Sequence, residues 1–519
     1  MNVRSLRPVT SLALAMLVAC APAAPQAGQS APPPISAEKL VVIEPNAIDS
    51  MDAHVAQRND AMIIIRRINE TLVARDPKTL QPVPLLAASW RTVDPTTWEF
   101  KLRAGVKFTN GEPFSAQTVK FNFERILKPE LKSFIGTSLG PIVSGVEAVD
   151  DTTVRVRTKA PYPLMLERLS TFSMVPERYV REKGDDEFGR RPIGTGPYQF
   201  VEWVQGQNVT IERNEQYWGD KPAFRQVVYR QIMESNTAVA ELLNGTAHIV
   251  MNLTPDQVPA VERSGIATIL SKPGVNVLEL RTDSIPRGEP NPFTDKRVRQ
   301  ALSYAINKEA IATNLFGGYS RVLATNIGPE MFGHDPNVKP YPYDPARAKQ
   351  LLAEAGYPNG FTVRFLWYPV GDFRDIKPVV EALASDMDKV GIHTTLFAIG
   401  ATEISAYTNP GKAGPLYLGN NGNAGFYDGG FGFSYLRKSS ALAYYWSDEL
   451  ERLIARQETT VDPEERKRAL SQIQQLLHDE APYVWGWSGF AIDAISTKID
   501  LRDAKFANDL RVDWVRPKP

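Results

Sequence analysis

A single cysteine, Cys20, stands in 519 residues. That excludes an internal disulfide and any metal site built from several thiolates. Histidine is nearly as scarce. The five (His54, His248, His334, His393, His478) are scattered without ligand spacing, and no H-E-x-x-H motif occurs. The chain also lacks an excess of either charge: 59 basic residues balance 59 acidic ones. It therefore projects no long-range field toward nucleic acid or an anionic membrane. No uncharged apolar run reaches the ~18 residues of a membrane-spanning helix. Two near-motifs fail on inspection. Gly486-Trp487-Ser488-Gly489-Phe490 misses the G-x-S-x-G elbow by one residue. Gly194-Thr195-Gly196 lacks the lysine of a phosphate loop and reads as a strand-entry turn. No catalytic residue, no metal and no cofactor is expected, and no nucleic-acid partner.

What is present is concentrated first at the N-terminus. Arg4 and Arg7 precede residues 9–18, a mostly apolar stretch of ten. That is too short for a bilayer span of ~20 residues and suits the apolar part of an export signal. It ends in Leu17-Val18-Ala19-Cys20, which looks like a bacterial lipobox, where small residues precede a cysteine that is lipidated and becomes the new N-terminus. Residues 21–36 are rich in Ala, Pro, Gln, Gly and Ser and read as a tether. The expectation is an exported protein, periplasmic or at the cell surface, anchored through Cys20.

The folded part begins at Leu40-Val41-Val42-Ile43, an apolar run suited to a buried strand, and residues 63–73 read as a helix. Trp98, Phe100 and Leu102 alternate with charged neighbours, as in a half-buried strand. Asn110-Gly111 marks a turn, and Ser115 caps a helix carrying Val119, Phe123, Ile126 and Leu127. Beyond residue 285 the pattern becomes α/β. Thr294 and Asp295 open one helix, Asn307 caps the next, and Asp344-Pro345 starts a third that Gly356 ends. Val363, Phe365 and Trp367 then alternate on a strand, with Trp367 read as core. A helix through Val379, Leu383 and Met387 follows, and a second strand spans residues 392–399. Such a unit favours a parallel sheet, with ligands beyond the strand C-termini, near residues 368–375. Asp462-Pro463-Glu464-Glu465 opens a late helix.

Several segments together resemble the family 5 extracellular solute-binding proteins of peptide-type ABC transporters over roughly residues 38–500. They are Leu86-Ala87-Ala88-Ser89-Trp90 with the strand at residues 98–108, Asn110-Gly111-Glu112-Pro113-Phe114, and Pro192-Ile193-Gly194-Thr195-Gly196-Pro197-Tyr198. Glu212-Arg213-Asn214 with Tyr217-Trp218-Gly219, Leu242-Leu243-Asn244-Gly245 and the helix from Val298 to Ile306 complete the set. The resemblance implies an α/β, two-lobed periplasmic-binding-protein-like clamshell. Its lobe I core would comprise residues 37–66, 190–285 and 485–519, its inserted subdomain residues 67–189, and lobe II residues 286–484. Chain crossings are expected near residues 285 and 485. The implied function is capture of a small polar solute (peptide, opine-like or related) for a membrane permease. Its partners would be that ligand, the permease subunits and the membrane through Cys20, with the protein itself a monomer. The alternatives are an exported, lipid-anchored hydrolase or a ligand sensor.

The stretch from Gly419 through Asn420, Asn421, Asn423, Phe426, Tyr427 and Asp428 to Gly430 is the most unusual in the chain. Its asparagines offer donors and acceptors, and its glycines admit close backbone approach, so it is the expected pocket wall. In dipeptide-binding members of the family the matching stretch carries an Asp for the ligand ammonium. Asn420 stands in its place and Asn423 in that of the next acid, which disfavours a ligand with a free N-terminus unless Asp428 compensates. The same resemblance places Arg374 as a clamp for a ligand carboxylate. It also turns Glu44 and Asn46 of the first-strand loop toward the cleft.

Overall fold

The computed structural model describes residues 36–56, 59–288, 290–368, 376–400, 403–407, 410–421, 426–440, 442–501 and 509–518. The strand Lys39–Glu44 is buried from Leu40 onward. It lies parallel to Gln226–Gln231 on one side and to Ile249–Val250 on the other. A strand flanked on both edges and covered on both faces needs a continuous apolar run, and Leu40 to Ile43 supplies it.

The helix expected over residues 63–73 runs instead from Asn59 to Ile68, and a short strand, Val73–Arg75, follows. Its end is set from outside the helix. Ile68 O accepts the Gly196 amide at 2.9 Å, and a Cβ on Gly194 would lie 1.8 Å from that same carbonyl. The Gly194-Thr195-Gly196 turn is thus pressed onto the last helical turn, an approach only glycine permits.

Strand alternation places Phe100, Val154 and Val156 fully inside. They belong to a four-stranded antiparallel sheet ordered Ala87–Asp94, Thr97–Leu102, Thr153–Thr158, Val143–Asp150. The helix Ala116–Ile126 carries its buried residues against the core of this unit, its N-terminus closed by a capping box between Ser115 and Thr118. This unit has its own apolar core, drawn from Leu72 to Met174.

A larger sheet of eleven strands holds the remainder. At one end Phe361–Trp367 pairs in parallel with Ile392–Ala398, joined by the helix Lys377–Asp388, the strand–helix–strand unit read from the sequence. Leu416–Asn421 joins Phe361–Trp367 in parallel. At the other end lies the core around Leu40, Val42 and Ile65.

Two long strands, Ala267–Thr282 and Tyr483–Ser496, connect these ends. Their lower halves pair as Ala267 with Ser496, and their upper halves as Arg281 with Tyr483. Between them the register slips, from Pro273 opposite Phe490 to Val277 opposite Ser488. Ile495 packs in the first core, whereas Leu278, Leu280 and Val484 pack in the second. The strands thus change core within their own length. Ser488, of the near-motif, is buried mid-strand and not on a strand-to-helix elbow.

Among the described residues no helix is long and apolar enough to cross a membrane. None of their His, Cys, Asp and Glu side chains gather as a potential metal site.

Candidate functional site

The strands Phe361–Trp367 and Leu416–Asn421 run in parallel, the second reaching beyond the end of the first. Phe365 is in register with Leu416, and Val363, Phe365, Leu416 and Leu418 share one core. Period two then puts Trp367 and Asn420 on that same face. Trp367 is half-buried against this core, but its Nε1 is buried without a hydrogen-bond partner among the described residues, and so is Asn420 Oδ1. The strand reaches into the glycine- and asparagine-rich stretch, taking in Gly419, Asn420 and the backbone of Asn421. Beside it, the Tyr417 hydroxyl donates to Tyr368 OH at 3.0 Å.

The segment that follows crosses toward the four-stranded unit. Tyr427 lies over the Arg75 guanidinium at 5.2 Å and packs with Leu80 and Val275. Phe426 and Phe431 both face Arg168 at 4.7 Å. Asp428 does not take the expected role. Its carboxylate accepts two bonds from Arg466, at 2.5 and 2.7 Å, with both side chains buried. A carboxylate already spent on a bidentate guanidinium is no counter-ion for a ligand ammonium.

Beside Tyr427 lies a cavity of about 80 Å³, in part open to solvent. The C-terminal turn of the helix Asn59–Ile68 lines it with Arg66 and Arg67, and the chain beyond adds Glu70 and Arg75. Glu70 is buried and accepts from Thr195 Oγ1 at 2.9 Å, Tyr217 OH at 2.7 Å and Trp218 Nε1 at 2.9 Å. Burial pushes its carboxyl up to about 7, against the pull of these three donors. The Gly-Thr-Gly and Tyr-Trp-Gly segments therefore meet on one acid.

A smaller hollow lies at the end of the first strand, lined by Glu44, Asn46, Asn208 and Tyr229 among others. Glu44 is buried, and its Oε1 accepts from the Asn46 backbone at 3.3 Å and from Asn46 Nδ2 at 3.4 Å. Tyr229 OH and Asn208 Oδ1 are buried there without a partner among the described residues.

Arg374, Asn423 and Cys20 lie outside the described residues, as does the side chain of Asn421. Residues that sequence reasoning passed over carry much of the chemistry. Arg66, Arg75 and Arg168 sit in ordinary charged patterns and gave no signal. Glu279 and Arg281, two apart on one strand, form a buried ion pair at 2.7 Å. Tyr417, Tyr435 and Tyr483 surround the Arg281 guanidinium at 5.0–5.8 Å. Burial pushes the Glu279 carboxyl up to about 7 even beside Arg281.

Residues 81–449 match the family model described as "Bacterial extracellular solute-binding proteins, family 5 Middle". The glutathione-binding protein GsiB of Pectobacterium atrosepticum is 27% identical over 490 residues, covering 91% of this chain and 93% of that protein. Heme-binding protein A of Haemophilus influenzae is 29% identical over 433 residues, covering 77% and 78%. Among solved structures, HbpA2 from Haemophilus parasuis superposes with a TM-score of 0.83 at 20% identity, over 93% of this chain and all of that one.

Proposed function

The chain belongs to the family 5 bacterial extracellular solute-binding proteins, and from that premise we propose that it encloses a small polar, peptide-like or opine-like solute between two lobes. It is an extracytoplasmic substrate-binding component of an ABC importer, with a two-lobed α/β fold. The observation that carries the ligand reading is the set of buried polar atoms left without partners. Trp367 Nε1 and Asn420 Oδ1 mark one wall, and Tyr229 OH and Asn208 Oδ1 the hollow at the first strand. Each such atom costs ~1–3 kcal/mol while unmet. A solute that supplies the missing bonds recovers that cost, which favours polar ligands.

Closure would pivot where the two long strands change register, at residues 273–277 opposite 488–490. Ligand contacts made only in the closed form then shift the open–closed equilibrium, and a permease would read the closed form. Arg374, Asn421, Asn423 and Phe426 belong to the proposed wall, with Glu44 and Asn46 opposite. Tyr427 joins them as the side chain that reaches the inserted unit. Lipidation at Cys20 would hold the protein at the membrane; Leu17-Val18-Ala19-Cys20 after a short apolar stretch supports this. The curated relatives, named for glutathione and heme, span most of the chain.

A thermal-shift panel tests the reading, with glutathione, di- to pentapeptides, opines and heme. A solute at 100 times its dissociation constant stabilises the protein by about 2.7 kcal/mol. A shift with one polar class is expected. A shift with heme alone, or with none of the panel, contradicts it.

A further inference from the structure

Four guanidiniums converge on the cavity beside Tyr427, and three of them are already engaged. Arg67 is 3% exposed and donates to Asp509 at 2.6 Å and to Asp513 at 2.5 Å. Arg75 is held by both oxygens of Glu167, at 3.0 and 2.5 Å. Arg511 donates to Asp513 at 2.6 Å. Arg66 makes no ion pair among the described residues, and its Nε is buried without a hydrogen-bond partner. The Nε of Arg67, which lines the same cavity, is also unmet.

The charge count sharpens this. Against the four guanidiniums the described residues set Asp509, Asp513, Glu167 and Glu70. Burial favours the neutral form of Glu70, whose carboxyl titrates near 7. Asp509, already held by Arg67, also pulls on Arg66, and no carboxylate among the described residues forms an ion pair with Arg66. Arg66 is half-buried beside this cavity, so its guanidinium is placed to pair with an anion that arrives from outside.

We propose that this cavity is an anion subsite in which the Arg66 guanidinium, at the C-terminal turn of the helix Asn59–Ile68, pairs with a carboxylate of the captured solute beside Tyr427. It rests on the solute-capture reading above and narrows the solute to one bearing a carboxylate. The fork of Arg66 takes a carboxylate bidentately, as Lys would not. Tyr427 covers the cavity from the opposite segment, so the pair forms in a space partly shielded from water.

Crystals of the purified protein soaked in sodium selenate test the site directly, because selenate is a carboxylate-sized oxyanion with an anomalous signal. The expected result is an anomalous peak within hydrogen-bonding distance of the Arg66 guanidinium, lost in Arg66→Gln and weakened in Arg66→Lys. No peak in the wild-type cavity, or one that survives Arg66→Gln, overturns the proposal. Calorimetry with glutathione and with its diethyl ester separates this from the capture reading. Wild-type binding of glutathione that weakens at least tenfold on esterification and in Arg66→Gln supports the subsite. Equal glutathione affinity in wild type and Arg66→Gln overturns the subsite and leaves solute capture standing. A selenate peak without binding of any peptide-like solute overturns both the capture reading and the pairing of Arg66 with a captured solute. Circular dichroism of both variants shows that the fold is kept.

Discussion

Asp428 and Arg466 hold each other through two hydrogen bonds, 2.5 and 2.7 Å long, with side chains only 8% and 4% exposed. The pair ties the segment that bears Phe426 and Tyr427 to the helix Pro463–Glu480. Removing one partner leaves a buried charge unpaired, which costs ~3–5 kcal/mol. Asp428→Ala should therefore lower unfolding stability by about that amount in urea titration. A loss under ~1 kcal/mol would mean that the pair is solvated and does not fix the segment.

Asn420 should separate affinity from stability. Among the described residues its Oδ1 has no hydrogen-bond partner, while its backbone carbonyl still accepts from Arg281 at 3.2 Å. Asn420→Ala removes an unmet buried atom and keeps the strand. Melting should stay level or rise, and solute affinity should fall about tenfold, equivalent to ~1.4 kcal/mol. Calorimetry on the solute found by the thermal-shift panel reads both. A variant that binds as well as the wild type would exclude Asn420 from the site.

The strand crossing is sensitive to a single methyl group. A Cβ on Gly274 would lie 2.6 Å from Gly489 O, a backbone atom that cannot yield without moving its strand. Gly274→Ala should destabilise by ~1–3 kcal/mol. Small-angle scattering should also show a smaller compaction on ligand binding than in the wild type. Unchanged stability and compaction would place the pivot elsewhere.

The contribution of Glu70 to stability should fall as pH rises toward neutrality, while His54, whose buried imidazole is pushed down to about 4, acts in the opposite sense. Glu70 keeps its proton in the folded state up to about 7, against an ordinary value of 4.5. The folded state thus binds the extra proton between those values. The stabilisation is full below 4.5 and is lost as pH climbs through 7. Its size is on the order of 3 kcal/mol, and Glu279 acts in the same direction. Melting curves from pH 4.5 to 8 should show the wild type losing stability relative to Glu70→Gln as pH rises. A difference that stays constant, or that grows in favour of the wild type, would contradict the burial argument.

Local chemistry was legible in the sequence where one segment determines its own shape. Ser115, Asn307, Asp344 and Asp462 each cap the helix that their spacing announced. The alternation of Trp98, Phe100 and Leu102 and the strand–helix–strand around Phe365 also came through, because period and capping are properties of neighbours. The family resemblance supplied the fold class. Long-range chemistry did not come through. Glu70 meets Trp218 across 148 residues, and Asp428 meets Arg466 across 38, so the acid expected to greet a ligand was already taken. The helix expected to reach residue 73 stops at Ile68 because Gly196, far along the chain, occupies its last carbonyl. Arg66 looks like any basic residue in a helix until its neighbours are seen to be paired.

The central claim is capture without turnover. Native mass spectrometry of the purified protein with its best panel solute, followed by release and analysis of that solute, tests it most directly. The account predicts one solute per chain, recovered chemically unchanged after prolonged incubation. Recovery of cleaved or modified solute would make the protein an enzyme and contradict the account.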